Sequence, residues 1–218
     1  MRKKTLTTRS PSELTANQRT FSAMKFESSF EVHLPPWAIK ENQKLPENIV
    51  DLESRMREVI RFSRLNFENE TGGPFAAGVF EKESGKLIVI GVNRVLPSNM
   101  SSAHAEIVAL TLAQQILETY DLGDTEASYQ LVVNARPCAM CFGAIPWSGV
   151  VDVVVGASGN QIEELTGFDE GPIHPNWQTE LRRRGIEVTE NVLEAEACEV
   201  LAAFGKSNAT VYNGRSGK

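Results

Sequence analysis

Two short segments constrain this chain more than anything else in it: His104-Ala105-Glu106 and Pro137-Cys138-Ala139-Met140-Cys141. Cys138 and Cys141 are three residues apart, so on a helix they fall on one side of a single turn and can grip one ion. With His104 they make one imidazole and two thiolates, the three-ligand set of a catalytic zinc site whose fourth position is left to water. Any fold that satisfies this must bring His104 across a separation of 34 residues to meet Cys138. Each segment also stands where a helix begins. A helix N-terminus offers free N–H groups and partial positive charge to anions such as thiolates. Pro137, with no N–H to lose, suits the first helical position. Glu106, two residues beyond the histidine, is placed to take a proton from water and pass it on. A bare Cys-x-x-Cys leaves a redox pair or a structural metal open; His-x-Glu upstream makes the non-catalytic reading the minor one.

The charge and cysteine content narrow the partners. The 218 residues, 41% hydrophobic and 23% charged, suit one soluble domain with a well-filled core. No apolar run approaches the length of a membrane span. Residues 1–20 are basic and polar without the apolar stretch of a secretory signal. A formal net charge of −6 disfavours a polyphosphate ligand, whose binding draws on a basic surface. The basic cluster Arg182-Arg183-Arg184 stands just before Gly185 and reads as a solvated helix end. A small neutral molecule is the expected partner, with neither nucleic acid nor membrane. Three cysteines are too few, and odd in number, for a disulfide scaffold, so a reducing, cytoplasmic setting is expected. Cys198, in an Ala- and Glu-rich stretch, reads as a core thiol.

Hydrophobic periodicity supplies the frame. Residues 1–45 read as an N-terminal extension, partly disordered, with Leu34-Pro35-Pro36-Trp37 as an anchoring patch; the domain proper is expected over 46–218. Ile49, Leu52, Met56, Val59, Ile60 and Phe67 recur at helical spacing, and Thr71-Gly72-Gly73-Pro74 ends that helix. Segments 75–80 and 86–92 flank Glu83-Ser84-Gly85 as a hairpin, followed by a polar loop at 98–102. Helices are expected at 103–119, 137–148, 159–166, 177–184 and 193–204, with strands at 129–134, 150–155 and 186–189 between them. A helix, a hairpin, then alternating helices and strands predict an α/β fold: a three-layer α/β/α sandwich on a mixed sheet of about five strands.

His-x-Glu with Pro-Cys-x-x-Cys is the signature of the zinc deaminases, and from about residue 49 onward the chain resembles the cytidine-deaminase-like superfamily. The likeness is nearest to its bacterial guanine deaminase branch. It is carried by Gly72-Gly73-Pro74-Phe75-Ala76-Ala77, Asn93, His104-Ala105-Glu106, Pro137-Cys138-Ala139-Met140-Cys141-Phe142-Gly143-Ala144, Trp147 and Gly167-Phe168-Asp169-Glu170. The first, third and fourth of these are shared with relatives that act on tRNA adenosine or on pyrimidines. The Gly-Phe-Asp-acid segment is the one that points to guanine. The resemblance implies zinc-dependent, hydrolytic deamination of guanine to xanthine and ammonia, in a homodimer whose partner completes or borders the pocket. It implies that Glu106 works with Glu170, whose ionised carboxylate accepts guanine's N1–H and 2-amino hydrogens. It turns the Asn93 amide toward a purine acceptor such as O6 or N7, and places Ala105, Phe75 and Trp147 at the substrate.

Without the resemblance these residues have plainer accounts. Glu170 is a loop carboxylate before Gly171-Pro172, Asn93 ends a strand, and Phe75 and Trp147 suit a core face as well as a heterocycle. Val211-Tyr212-Asn213 stands where relatives use their C-terminal segment to cover the site. The chain also departs from its relatives. Its final acid is Glu170 where others carry aspartate, so the carboxylate reaches about one bond further, and Ala77 replaces a common glycine. The longer reach opens the pocket to guanine analogues such as amino-triazines, and deamination of another small amino-heterocycle, a triazine, pterin or pyrimidine, is the nearer alternative. Adenosine in tRNA and a non-catalytic zinc-stabilised binding module are more distant ones.

Overall fold

The computed structural model describes residues 29–214, and the elements below belong to the unit Val32–Lys218. Helix α1 (Pro36–Lys44) is followed by α2 (Leu52–Glu68), whose first turn is capped by Asp51 accepting the Ser54 N–H. The hairpin is β1 (Ala76–Glu81) and β2 (Leu87–Val92), and α3 (Val95–Ser98) is a single turn. Then come α4 (Ala105–Ile116), β3 (Tyr129–Ala135), α5 (Ala139–Ser148), β4 (Asp152–Ala157) and α6 (Gly159–Thr166). The fold ends with α7 (Trp177–Arg182), β5 (Glu187–Thr189) and α8 (Glu194–Gly205). Among the described residues no helix is long and apolar enough to cross a membrane.

The strand order is β2-β1-β3-β4-β5, antiparallel from β2 to β3 and parallel from β3 to β5. Every residue of β3 and β4 is buried, as parallel strands covered on both faces must be. On one face Met56, Val59 and Phe62 of α2, Ile162 of α6 and Leu201 of α8 pack with Val132 and Val154. On the other, Ala109 and Leu110 of α4, Ile145 of α5 and Leu181 of α7 pack with Leu131, Val133, Val153 and Val155. This is the α/β/α sandwich on a five-stranded mixed sheet that the alternation of helices and strands predicts. Gly91 brings α4 against β2: a Cβ there would stand 2.7 Å from the Ala109 nitrogen. That close approach lets the N-terminus of α4 reach the end of β3.

The elements add detail to the expectations at three places. Helix α1 lies inside the stretch read as a partly disordered extension, and it belongs to the unit Val32–Lys218. Ala38 is fully buried and Trp37 lies 5.7 Å from Phe62, ring to ring. Asn42 stands in for a strand on the open edge of β2, accepting from the Ile90 N–H (2.8 Å) and donating to its carbonyl (3.0 Å). Its charged residues hide the helix from a hydrophobic reading, and residues 1–28 of the extension lie outside the described residues. Pro137 precedes α5 rather than opening it, because Cys138, in extended conformation, is the N-cap. The loop after β2 contains the turn α3 before its polar stretch.

Candidate active site

Beyond Ala135 the chain leaves the sheet, and Cys138 and Cys141 lie at the cap and in the first turn of α5. His104 caps α4, and the Arg94 N–H donates to the Ala103 carbonyl (2.8 Å), tying the start of that helix to the end of β2. The His104 Nδ1 atom lies 3.4 Å from Cys138 Sγ and 3.7 Å from Cys141 Sγ, and the three ligand atoms all lie within 4.8 Å of one another. Tetrahedral zinc holds nitrogen and sulfur ligands about 3.6 Å apart and two sulfurs about 3.8 Å apart. The two nitrogen–sulfur distances therefore match the ion's spacing, and the residues present fit it. Their protonation fits as well. The hydrogen bond from Cys141 and the nearby imidazole pull the Cys138 thiol down to about 4, while the same bond and burial push Cys141 well up. Burial works against a charged His104, but Cys138 and Glu106 beside it raise its pKa.

A cavity of about 240 Å³ opens beside the triad, smaller than the roughly 300–1,000 Å³ that drug-sized ligands occupy. Two carboxyls line it. Glu106, in the first turn of α4, is 6% exposed, and burial followed by the Cys138 charge raises it to about 7. Glu170, 7% exposed, is raised to about 8 by burial first and Cys138 second, with Arg136 opposing. The Arg136 Nη2 atom lies 3.9 Å from the Glu170 carboxylate. The loop bearing Glu170 is fixed at several points. Its carbonyl accepts the free Ala139 N–H at the start of α5 (3.0 Å), and Asp169 Oδ1 accepts from Gly171 N (2.7 Å). Asn213, from the C-terminal segment, accepts the Asp169 N–H (3.0 Å) and donates to the Gly167 carbonyl (2.9 Å).

Phe75 and Asn93 form another part of the lining, and the turn between α2 and β1 sets their positions. Gly72 is required there, since a Cβ would stand 2.0 Å from the Asn93 carbonyl oxygen. Asn134 holds the far side of this turn by accepting from Ala76 N (2.9 Å) and donating to the Pro74 carbonyl (3.1 Å). Asn93, 1% exposed, has its Oδ1 engaged by the N–H groups of Gly73 (3.4 Å) and Val95 (3.3 Å). Its Nδ2 is therefore the donor on the cavity side, where the Tyr212 hydroxyl is its neighbour. Phe75 meets Phe168 edge-on at 5.2 Å, and Tyr212 meets Phe168 at 4.8 Å.

The structure thus brings Phe75, Asn93, Ala105, Glu106 and Glu170 to one cavity with His104 and Cys138, and Cys141 stands behind them. Trp147 is not among the residues lining this cavity. Helix α5 turns Cys141, Ile145 and Ser148 inward, so Trp147 lands on the outer face, 86% exposed, beside Pro146, Phe142 and Arg184. Arg136, Phe168 and Tyr212 line the cavity and were not put forward as substrate contacts. Arg136 had a readable signal, a cation next to Pro137-Cys138. Tyr212 had its place in a C-terminal segment, but nothing in its spacing sets its direction.

The zinc-binding region of cytidine and deoxycytidylate deaminases matches residues 50–157. In fold the chain is similar to a guanine deaminase from Nitrosomonas europaea: TM-score 0.79 and 42% identity, covering 84% of this chain and 100% of that one. It is 37% identical to the guanine deaminase of Bacillus subtilis over 47% of this chain; the match spans 62% of that protein's length. It is 30% identical to a tRNA-specific adenosine deaminase of Buchnera aphidicola over 63% of this chain and 85% of that protein. With the three ligands converged at zinc spacing and these likenesses running through both helices that carry them, the chain belongs to the cytidine and deoxycytidylate deaminase family, and zinc is its cofactor.

Proposed function

We propose that the protein hydrolyses free guanine to xanthine and ammonia. The observation that carries this reading is the second buried carboxyl, Glu170, which shares one small cavity with Glu106 and the Asn93 amide. Guanine offers N1–H and a 2-amino group as adjacent donors, which an ionised carboxylate accepts together. Its O6 and N7 are acceptors, matching the Asn93 Nδ2 donor. Phe75 and Phe168 supply apolar surface to the ring.

Bound zinc makes water acidic enough to act as a nucleophile at neutral pH. Glu106 takes the proton from the attacking water as its oxygen bonds to C2, and delivers it to the ring nitrogen N3. Glu170 holds N1–H and the 2-amino group while C2 becomes tetrahedral. Glu106 then takes the proton of the new C2 hydroxyl and passes it to the amine; the C2–N bond breaks, ammonia leaves, and C2 becomes the carbonyl of xanthine. Ammonia release from guanine, ammeline, cytosine, cytidine and adenine by the zinc-loaded protein tests this. Guanine is expected to be fastest; guanine among the slowest would overturn the reading in favour of another amino-heterocycle.

Adenosine in tRNA is the second reading, favoured by the likeness to the Buchnera protein. Three features weigh against it. The net charge is −6, Arg183 and Arg184 are both engaged by Glu180, and the C-terminal residues Tyr212 to Gly214 stand at the cavity. Binding of tRNA at low salt would restore it. We also propose a homodimer formed through the outer face of α5, where Trp147 and Met140 are exposed. The free thiols are consistent with a cytoplasmic setting, and the catalytic domain begins near residue 32 rather than 46.

A further inference from the structure

Trp37 lies on α1, ahead of the residues 50–157 that the family region matches, yet its indole is joined to the cavity wall by a directional line of hydrogen bonds. Its Nε1–H donates to Thr71 Oγ1 at 3.0 Å. The Thr71 hydroxyl, its lone pair so used, has one hydrogen to give, and both acceptors in reach belong to Asn66: Oδ1 at 2.9 Å and the carbonyl at 3.0 Å. Asn66 is fully buried. Its amide is oriented unambiguously, because Nδ2 faces two carbonyls, those of Gly73 at 2.8 Å and Asn93 at 2.9 Å. The two residues held by Asn66 are also joined to each other, since Gly73 N–H donates to Asn93 Oδ1. Arg94, next to Asn93, adds a bond from Nη1 to the Thr71 carbonyl. The Trp37, Thr71 and Asn66 side chains each have their partners, and satisfied buried networks of this kind fix one arrangement.

We infer that Trp37 is a positioning residue for substrate recognition, which sets the Asn93 amide through Thr71 and Asn66. The plainer account, that the indole only anchors α1 on Phe62, explains the ring contact but not a line of hydrogen bonds ending on both sides of Asn93. The inference rests on the reading of Asn93 as a purine contact.

Trp37→Phe keeps an aromatic ring on Phe62 and removes the donor; Thr71→Val keeps the shape and removes the hydroxyl. Both are made in the full chain loaded with zinc. Two measurements are needed: amide hydrogen exchange, and kcat and KM on guanine. Exchange at Gly73 and Val95, whose N–H groups hold Asn93, is expected to quicken about tenfold in either variant, with β4 and α8 unchanged. KM for guanine is expected to rise about three- to tenfold with kcat nearly unaltered. Unchanged exchange at Gly73 and Val95, a uniform rise across the sheet, or altered exchange with unaltered KM would each overturn the inference. A wild-type protein inert on guanine would instead defeat the functional reading. In that case local quickening at Gly73 and Val95 still supports the relay, and its absence still overturns it.

Discussion

Glu170→Gln should move activity and stability in opposite directions. In the metal-free protein the Glu170 carboxyl is raised to about 8 from an ordinary value of 4.5, burial being the main cause. The sign follows from the linkage between protons and folding. Below pH 4.5 the carboxyl is neutral folded or unfolded, and its burial carries no ionic penalty. As pH rises through that point the unfolded chain loses the proton and the folded chain keeps it, so stability falls by about 1.4 kcal/mol per pH unit, about 3 kcal/mol in all by pH 7. Glutamine has the same shape and no charge to lose. Allowing about 1 kcal/mol for desolvating its amide, the variant should be about 2 kcal/mol more stable at pH 7, a melting temperature about 4–8 °C higher for a chain of this size.

On guanine the same substitution replaces one acceptor oxygen by a donor that faces the substrate's own donors. Hydrogen bonds to a charged group contribute about 1.5–3 kcal/mol each, so kcat/KM should fall about a hundredfold or more. Thermal melts of wild type and variant in chelator, at pH 4 and pH 7, read the first effect, and steady-state kinetics of the zinc-loaded proteins read the second. The stability gain should be present at pH 7 and absent at pH 4. A gain that persists at pH 4, or none at either pH, refutes the account of Glu170 as a buried carboxyl held at the expense of folding. Unaltered kcat/KM refutes its role in recognising guanine.

Other substitutions and metal titration probe the remaining parts. Glu106→Ala should retain one zinc per chain by elemental analysis and lose about 10²–10⁴-fold in kcat, the usual worth of a positioned proton-transfer group; normal turnover would remove Glu106 from the mechanism. Zinc added to the metal-free protein at pH 7 should release about two to three protons, because Cys141, Glu170 and part of Glu106 and His104 enter that state protonated while Cys138 is already a thiolate. Zinc affinity should accordingly climb with pH, and release of fewer than one proton in weak buffer would contradict these ionisation states. Trp147→Glu should convert the dimer to monomer by sedimentation, since it puts a charge on the exposed face of α5; an unchanged mass would place the interface elsewhere.

The two features that sequence made most legible are local ones. Cys141 follows Cys138 by three positions and Glu106 follows His104 by two, so one turn of backbone determines each relationship. The helices and strands were legible for the same reason, their apolar residues repeating at 3.6 or 2. Trp147 shows where this fails. Its neighbours Cys141, Ile145 and Ser148 define the inward face of α5, but telling a wall of the pocket from a surface needs the packing of α5 on the sheet. Helix α1 was missed because it buries little of its own surface and is held by one indole and one amide, neither of which leaves a periodic trace. Asn66 and Tyr212 act across long separations, through a carbonyl or a ring that no spacing rule names.

The ionisation states of the site share one physical origin. Two thiols and two carboxyls crowd a buried corner, where Arg136 first and His104 second counter the charge of Glu170. Without a metal the negative charge cannot be spread, so Cys138 takes it and Cys141, Glu106 and Glu170 hold their protons. A divalent cation in the triad reverses that balance, favouring the ionised form of every group around it. On the proposed mechanism, the carboxylate that accepts guanine's two donors and the carboxylate that takes a proton from water should then form on metal binding rather than stand ready in the metal-free fold. This ties substrate recognition to the same ion that supplies the nucleophile. A metal-free chain should be poor at binding guanine as well as at converting it, because Glu170 without the cation presents a carboxylic acid to a substrate face made of donors.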